Sequence, residues 1–375
     1  MLLTRNRVTN NPRPLPPGST IGILGSGQLG RMLSLAAAEL GLKCHIYSPD
    51  PSSPAGEVSA QTTIAAYEDH AALAGFAAMV DAVTYEFENV PQETAAFLAE
   101  TVPVRPGPKA LEVAQDRLRE KQFIRNLGLD VADFHDITDF AGLETALSSL
   151  GGQGILKTRR FGYDGKGQWR LDGSNSQAVF NELNGEPAIL EALIDFDRET
   201  SVIAARGLDG AVQVYDAAEN IHENHILRHS FVPAELSATL NNTAREMAIS
   251  LLNALDYVGV LAVEIFVCGD RLLINELAPR VHNSGHWTQD ACLTGQFEQH
   301  IRAIAGWPLG DPVRAHDAVM TNLLGHEIEG VADNKDPLGK LHLYGKNTAR
   351  AGRKMGHINR IFPLGKRPDT EDYSL

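Results

Sequence analysis

The sequence predicts a protein of mixed α/β and α+β class that begins with a Rossmann-like domain. Three patterns support this prediction: a strand that runs from Thr20 through a glycine-rich turn into a helix, a strand that ends at Lys157 before a second glycine-rich loop, and a hairpin that carries Glu264 and Glu276. A chain of 375 residues can form two or three domains with sizeable cores. We therefore expect these patterns to lie in different domains or subdomains.

Composition excludes several classes of protein. The formal net charge of -14 disfavours nonspecific nucleic-acid binding, and no apolar run approaches the roughly 18 residues of a membrane span. Cys44, Cys268 and Cys292 are widely spaced, so neither a disulfide framework nor a thiolate metal site is predicted. We expect a cytoplasmic protein with no nucleic-acid or membrane partner. Residues 1–18 lack the apolar core of a signal peptide, and we interpret them as a loose tail.

The first pattern consists of the apolar strand 20–24, the turn Gly25-x-Gly27-x-x-Gly30 and an Ala/Leu-rich helix, followed by a strand that ends near Asp50. It is typical of a dinucleotide-binding unit whose helix N-terminus is open to a phosphate. The same turn occurs in α/β domains that bind no nucleotide. An NAD-dependent dehydrogenase remains an alternative at this point.

A further strand in this domain ends in polar residues. Glu86, Glu88 and Asn89 follow the apolar run 82–85, at the strand end where open α/β sheets present ligand contacts. An ordinary polar loop would have the same composition, so both interpretations stay open.

The second pattern indicates a phosphate site. Lys157 closes a short apolar strand, and Gly162, Gly165 and Gly167 follow in a loop that also carries Tyr163, Asp164 and Lys166. A flexible glycine loop lets backbone N–H groups wrap phosphates, while a strand-borne lysine supplies a positioned charge. The alternative is a hairpin turn, since Asp-Gly is a favoured turn dipeptide. The segment lacks the spacing of a P-loop.

The next strand and its linker suggest a nucleoside pocket. The apolar run 187–194 is interrupted by Glu191, and Glu199 follows in a polar stretch. Such a transition could offer backbone groups to adenine and Glu199 to a ribose. His222 is a further candidate, although a lone histidine is more often a surface residue or a satisfied core residue.

The third pattern suggests a metal site. Two apolar runs, 260–267 and 272–277, flank a short turn that contains glycine, which predicts a β-hairpin. If Glu264 pairs with Glu276, two like charges share one face and need a compensating cation, for which oxygen ligands favour Mg²⁺. A solvated hairpin face is the alternative. The neighbouring Asn275 and the polar segment 280–286 favour the metal site, with a nucleotide nearby.

In this order, the motifs resemble the ATP-grasp superfamily and, within it, the family of 5-(carboxyamino)imidazole ribonucleotide synthetases, which carboxylate a ribonucleotide in purine biosynthesis. The resemblance spans about residues 21–360. Its most specific parts are Gly25-Ser-Gly-Gln-Leu-Gly-Arg31, Tyr85-Glu-Phe-Glu-Asn89, Gln115-Asp-Arg117, Phe161-Gly-Tyr-Asp-Gly-Lys-Gly-Gln168, Asn275-Glu-Leu-Ala-Pro-Arg-Val-His-Asn-Ser-Gly-His-Trp287 and Gly352-Arg-Lys-Met-Gly-His357.

The resemblance implies a Rossmann-like (pre-ATP-grasp) domain over 19–115, an ATP-grasp domain of two subdomains over 116–308 and a small C-terminal domain over 309–375. It implies a homodimer that uses ATP, bicarbonate and 5-aminoimidazole ribonucleotide with Mg²⁺, and neither NAD nor biotin. Many relatives have arginine in place of Lys166, which keeps the charge but loses a planar fork.

The resemblance also implies roles for individual residues. Glu264 and Glu276 would hold Mg²⁺. ATP would be contacted by Arg117, Lys157, Gly162, Tyr163, Asp164, Gly165, Lys166, Gly167, Gln168, Glu191, Ala192, Leu193, Ile194, Glu199, His222, Asn275 and Glu276. The ribonucleotide would be contacted by Gly27, Gln28, Leu29, Glu86, Asn89, Tyr163, Asp164, Lys166 and Lys354, with Lys346 and Arg353 at its phosphate. The catalytic set would be Lys157 together with, on the bicarbonate side, Arg280, His282, Asn283 and Ser284.

The implied chemistry is the phosphorylation of bicarbonate by ATP. Carboxyphosphate, or CO₂ released from it, would then carboxylate the exocyclic amine of the ribonucleotide, with Mg²⁺ and Lys157 offsetting charge on the transferred phosphoryl group. The glycine loop would exclude water as a lid. Alternatives are another ATP-grasp ligase, such as a formate-dependent ribonucleotide transformylase or a biotin carboxylase, and a non-catalytic nucleotide-binding protein.

Overall fold

The computed structural model describes residues 13–162, 165–331, 337, 339–370 and 373. The N-terminal domain contains β1 (Thr20–Leu24), α1 (Gln28–Glu39), β2 (Lys43–Ser48), β3 (Gln61–Ile64), α2 (His70–Ala77), β4 (Ala82–Tyr85), α3 (Gln92–Ala99) and α4 (Pro108–Ala114). Its strands form a parallel sheet in the order β3-β2-β1-β4. β1 and β4 are almost entirely buried, as expected for a parallel sheet covered on both faces. The predicted Rossmann-like domain is confirmed.

A smaller antiparallel sheet follows. Its segment contains α5 (Arg117–Asn126), β5 (Phe134–Ile137), α6 (Phe140–Ser149), β6 (Gly154–Thr158), β7 (Gln168–Leu171), α7 (Ser176–Glu182) and β8 (Ala188–Glu191). The strand order is β5-β8-β6-β7. The Asp116 carboxylate accepts hydrogen bonds from the first backbone N–H groups of α5, which fixes the start of that helix at Arg117. The glycine loop joins β6 to β7, so it is a hairpin connection, but one much longer than a tight turn.

The remaining strands of the described chain form one large sheet, and helices lie between them in the sequence. Its elements are β9 (Arg198–Arg206), β10 (Val212–Val214), β11 (Ala218–Glu223), β12 (Ile226–Val232), α8 (Ala238–Ala254), β13 (Gly259–Cys268), β14 (Arg271–Ala278), α9 (Thr288–Ala291), α10 (Gln296–Ala305), β15 (Asp317–Leu324), β16 (Gly339–Leu343) and β17 (Lys354–Phe362). The strand order is β14-β13-β9-β11-β12-β15-β17-β16, and β10 pairs with β9. Among the described residues, no helix combines the length and apolar composition needed to cross a membrane.

The C-terminal strands continue this sheet. β15 pairs with β12 through contacts such as His229 with Thr321, and β17 and β16 follow beyond it. β15 is buried along almost its whole length because it lies inside the sheet, between β12 and β17. The domain boundary expected at 308 is therefore not a break between sheets.

The N-terminal domain packs on the large sheet through α1 and α10, and residues of both belong to one apolar core. His300 on α10 connects the two at its centre. Its Nδ1 accepts a hydrogen bond from the Val260 backbone N–H at 3.0 Å, and its Nε2 lies 2.8 Å from the Thr84 hydroxyl. β4, α10 and β13 are thereby held together by one buried side chain.

The segment before β1 is docked against the end of α10. The Leu15 backbone N–H donates to the Ala305 carbonyl at 2.8 Å, and the Trp307 indole N–H donates to the Leu15 carbonyl at 2.7 Å. The expectation of a loose tail is therefore wrong at Leu15. Residues 1–12 lie outside the described part of the chain.

Candidate active site

A cavity of about 880 Å³ opens between the two later sheets and the loops of the N-terminal domain. Most residues singled out from the sequence line it: Gly27, Gln28, Leu29, Glu86, Glu88, Asn89, Arg117, Lys157, Gly162, Gly165, Lys166, Gln168, Glu191, Ala192, Leu193, Ile194, Glu199, His222, Glu264, Asn275, Glu276, Arg280, His282, Asn283 and Lys354. Segments that are distant in the sequence thus meet in one site.

Some predicted residues do not line this cavity. Gly167 closes the β6–β7 hairpin, where its carbonyl accepts from the Thr158 backbone N–H. Ser284 is fully buried behind His282, whose Nδ1 lies 2.8 Å from the Ser284 hydroxyl, so the expected contact of Ser284 with bicarbonate is wrong. Lys346 and Arg353 do not line the cavity either: the Lys346 ammonium donates to the carbonyl of Lys354, which does line it, and Arg353 Nη1 donates to the Thr348 carbonyl. Tyr163 and Asp164 lie outside the described residues.

The two carboxylates of the hairpin face each other as predicted. Glu264 pairs with Glu276 across β13 and β14, and the register shifts directly afterwards because Ile265 pairs with Ile274. Asn275 is therefore the additional residue of a β-bulge. Consecutive residues of a regular strand point to opposite faces, whereas the bulge lets both Asn275 and Glu276 line the cavity.

Each carboxylate already has a basic partner. Glu264 Oε1 lies 3.1 Å from His282 Nε2, and Glu276 Oε2 lies 3.0 Å from Arg117 Nη1. The Glu276 side chain is also 39% exposed to solvent. The premise that two unpaired buried charges require a cation is therefore wrong. The prediction of a metal site depends instead on whether the available oxygen atoms suit a metal ion.

The donor set does fit a hard cation. Burial alone would raise the pKa of Glu264, but the hydrogen bond and charge of His282, with the charges of His222 and Arg280, lower it, so Glu264 is an anion. Asn275 Oδ1 is buried and has no hydrogen-bond partner within the described chain. No group of three or more His, Cys, Asp or Glu residues suited to a metal occurs among the described residues. Two carboxylates and an amide oxygen would need further oxygen ligands from a nucleotide, as is usual for Mg²⁺.

Lys157 belongs to a buried charge cluster. Its ammonium lies 2.9 Å from Glu191 Oε2, and the Lys121 ammonium lies 3.5 Å from the same oxygen. Burial would raise the pKa of Glu191, but the two lysines lower it to about 2, so the carboxylate stays ionised. The cluster fixes the position of Lys157 at the cavity wall.

The linker after β8 forms the apolar side of the cavity. The rings of Phe196 and Phe266 stack with centroids 4.6 Å apart, and both line the cavity. Beside them, His222 Nδ1 lies 2.9 Å from Glu199 Oε2. Burial disfavours protonation of His222, but the adjacent carboxylate outweighs this effect and raises its pKa. A flat apolar wall beside a polar pair suits a nucleoside.

The helix N-terminus of the glycine turn is closed by the protein itself. Glu86 Oε1 accepts from the Gly27 backbone N–H at 2.8 Å, and Glu86 Oε2 accepts from the Gly30 N–H at 3.0 Å. The expectation of a helix N-terminus open to a phosphate is therefore wrong, because a carboxylate of the chain occupies the anion position. Asp50 accepts from the Ser52 N–H and does not line the cavity.

Arg280 ties the hairpin side of the site to the N-terminal domain. Its Nε donates to Glu88 Oε2, on the loop after β4. Burial would raise the pKa of Glu88, but the charge and hydrogen bond of Arg280 lower it to about 2. The guanidinium thus stands between two parts of the cavity wall.

Sequence reasoning missed Glu120, Lys121 and the Phe196–Phe266 pair. Phe266 could have been found, since it lies two residues after Glu264 on the same face of a strand. Glu120 and Lys121 offered a weaker signal, because charged residues in the first turns of a helix usually face solvent.

Family models match three consecutive parts of the chain. A ribonucleotide synthetase preATP-grasp domain matches residues 19–115, an ATP-grasp domain matches 122–297, and a phosphoribosylaminoimidazole carboxylase C-terminal domain matches 318–363. The predicted sequence of domain types is confirmed. ATP-grasp ligases use ATP with a divalent metal.

Individual relatives agree. The N5-carboxyaminoimidazole ribonucleotide synthase of Brucella melitensis is 54% identical over 354 residues, which covers 93% of this chain and 98% of the relative. The crystal structure of the corresponding synthetase from Thermus thermophilus has a TM-score of 0.87 and 45% identity, over 91% of this chain and 93% of that one. An Aspergillus clavatus synthase in complex with ADP and 5-aminoimidazole ribonucleotide has a TM-score of 0.86 and 29% identity, over 92% and 94%. The chain belongs to the N5-carboxyaminoimidazole ribonucleotide synthase family of ATP-grasp ligases.

Proposed function

We propose that the protein carboxylates the exocyclic amine of 5-aminoimidazole ribonucleotide with ATP and bicarbonate, giving N5-carboxyaminoimidazole ribonucleotide, ADP and phosphate. The observation that carries the proposal is that Lys157 and the Glu264/Glu276 hairpin share one cavity with Glu86 and Asn89 of the N-terminal domain. A nucleotide and a second substrate can therefore occupy one cavity.

The nucleotide would lie against the two later sheets. Its adenine would pack on the rings of Phe196 and Phe266, and Glu199 with His222 would contact the ribose. The Ala192 backbone N–H in this part of the wall already donates to the Asp133 carbonyl. Lys157, Arg117 and the glycine loop would hold the phosphates. Glu264, Asn275 and Glu276 would hold Mg²⁺, which when bound neutralises phosphate charge during phosphoryl transfer.

Bicarbonate would lie beside Arg280, His282 and Asn283. These side chains line the cavity directly after the hairpin, and Arg280 supplies a positive charge where a bicarbonate oxygen attacks the terminal phosphoryl group of ATP. ADP is the leaving group of that step. The amine of the ribonucleotide then attacks the carboxyphosphate carbon and displaces phosphate, or attacks CO₂ that carboxyphosphate has formed by losing phosphate beforehand; on either route the amine nitrogen loses one proton. Ser284 orients His282 from behind. The glycine loop would limit hydrolysis of the intermediate by excluding water.

The ribonucleotide would lie on the N-terminal side of the cavity. Gln28, Leu29, Glu86 and Asn89 would contact it there, and the resemblance to the family adds contacts from Tyr163, Asp164 and Lys166. Because Glu86 occupies the N–H groups of Gly27 and Gly30, we assign the substrate phosphate to Lys354, with Lys346 and Arg353 beside it.

The alternative functions make different predictions. The closed helix N-terminus and the position of Asp50 outside the cavity argue against NAD. Another ATP-grasp ligase would keep the nucleotide site and change the acceptor. ADP release should therefore be measured with 5-aminoimidazole ribonucleotide, with glycinamide ribonucleotide plus formate, and with biotin. Stimulation by the first alone supports the proposal. Stimulation by another acceptor, or ATP binding without stimulation, would contradict it.

We also propose a homodimer in the cytoplasm, which the resemblance to the family supports. Sedimentation of the purified chain should give twice the mass of 40.6 kDa. A monomer at working concentration would contradict the dimer.

A further inference from the structure

Two consecutive charged residues of α5 are buried without an assigned role. Glu120 is 2% exposed and Lys121 is 1% exposed. Burying ionised side chains is costly unless each finds specific partners. Their partners should therefore show what the pair does.

Both side chains bind the backbone of the β14 bulge. The Lys121 ammonium donates to the Asn275 carbonyl at 2.7 Å and lies 3.5 Å from the Ile274 carbonyl. Glu120 Oε1 accepts from the Leu277 backbone N–H at 2.9 Å. The two contacts enclose Glu276 from both sides along the strand, at the place where the bulge interrupts the ladder.

A third contact from the same helix reaches the Glu276 side chain. Arg117, one turn earlier on α5, lies 3.0 Å from Glu276 Oε2. Lys121 also approaches Glu191, which binds Lys157. One helix therefore connects the hairpin carboxylate with the strand lysine that sits on the other sheet.

We propose that Glu120 and Lys121 are positioning residues that hold the Asn275 bulge, so that Asn275 and Glu276 both present oxygen atoms to the cavity. Without these partners the bulge can return to regular pairing, which would turn one of two consecutive side chains away from the cavity. This inference rests on the proposed function, because it gives those oxygens a Mg²⁺–nucleotide ligand.

The test uses binding as well as turnover. ADP affinity is measured by calorimetry with and without Mg²⁺ for the wild-type chain, Lys121→Met and Glu120→Gln. Lys121→Met should lose about tenfold or more of the strengthening that Mg²⁺ gives to ADP binding, as when partners that orient metal ligands are removed. Glu120→Gln keeps an acceptor for the Leu277 N–H and should change this strengthening by about twofold or less.

A matched control is Lys109→Met. Lys109 is exposed, and its ammonium also donates to a backbone carbonyl, that of Ala254, away from the cavity. It should keep the wild-type Mg²⁺ effect. If Lys121→Met does not fold, Glu120→Met against Glu120→Gln decides, because only the first removes the acceptor.

The outcomes separate the inference from the proposed function. A folded Lys121→Met protein, or Glu120→Met in its place, with the full Mg²⁺ effect would overturn the inference while the function stands. A wild-type chain that binds ADP with no Mg²⁺ effect would overturn the metal assignment first and the inference with it.

Discussion

Acid should destabilise the interface between the N-terminal domain and the large sheet through His300. This side chain is fully buried, and its Nδ1 must be unprotonated because it accepts from the Val260 N–H. Burial lowers the pKa of His300 from 6.5 to about 3. The folded-state pKa lies below the unfolded value, so the unfolded chain binds the additional proton and stability falls as pH drops below about 6.5.

The size of the effect follows from the interval. Over the roughly 1.5 pH units between pH 6.5 and pH 5, the unfolded chain binds a proton at His300 that the folded chain does not bind. At about 1.36 kcal/mol per pH unit, the free energy of unfolding falls by about 2 kcal/mol. The loss continues towards pH 3. His286 and His357, whose pKa values burial also lowers, act in the same direction, so the His300 share must be isolated by a variant.

The assay is urea unfolding at pH 7.5 and pH 5, followed by circular dichroism and tryptophan fluorescence. Coincident transitions allow free energies of unfolding to be compared. His300→Gln removes the titrating group, so it should lose about 2 kcal/mol less than the wild type between the two pH values. His316→Gln, at an exposed histidine, is the control and should behave as wild type. Equal pH dependence of His300→Gln and the wild type would refute the reasoning.

Three further predictions concern the site. Glu276→Gln should lower ADP release by about a hundredfold or more with an unchanged melting temperature, and near-normal turnover in a folded sample would remove Glu276 from the metal site. Phe266→Ala should weaken ADP binding by roughly tenfold in calorimetry, because the stack with Phe196 is lost; an unchanged Kd would place adenine elsewhere. Arg280→Met should lower the free energy of urea unfolding by roughly 2 kcal/mol, because Glu88 loses its partner but keeps 28% of its exposure; no loss would show that the pair contributes nothing.

Local patterns carried most of what the sequence could predict. The hairpin was predictable because two apolar runs flank a short turn that contains glycine. Glu264 does pair with Glu276, but through the bulge at Asn275, since the register at the turn alone would pair Glu264 with Asn275. The strand that carries Lys157 and the glycine turn after β1 were visible for the same reason. Each depends on residues that are close together in the chain.

Contacts between residues that are distant in the sequence could not be predicted from it. The Glu86 carboxylate fills a helix N-terminus that, from its own sequence, looks ready for a phosphate. Lys121 reaches the carbonyl of Asn275, and nothing in the local pattern of α5 shows that it is buried. The site residues that belong to local motifs could therefore be predicted, whereas the distant residues that position them could not.

The most direct test of the account is the mass of the product formed from 5-aminoimidazole ribonucleotide, ATP, Mg²⁺ and ¹³C-labelled bicarbonate, measured together with ADP. We expect one labelled carboxyl group on the ribonucleotide for each ADP released, and no product when bicarbonate or ATP is omitted. ADP release with no labelled ribonucleotide, or an acceptor-independent rate, would contradict the proposed function.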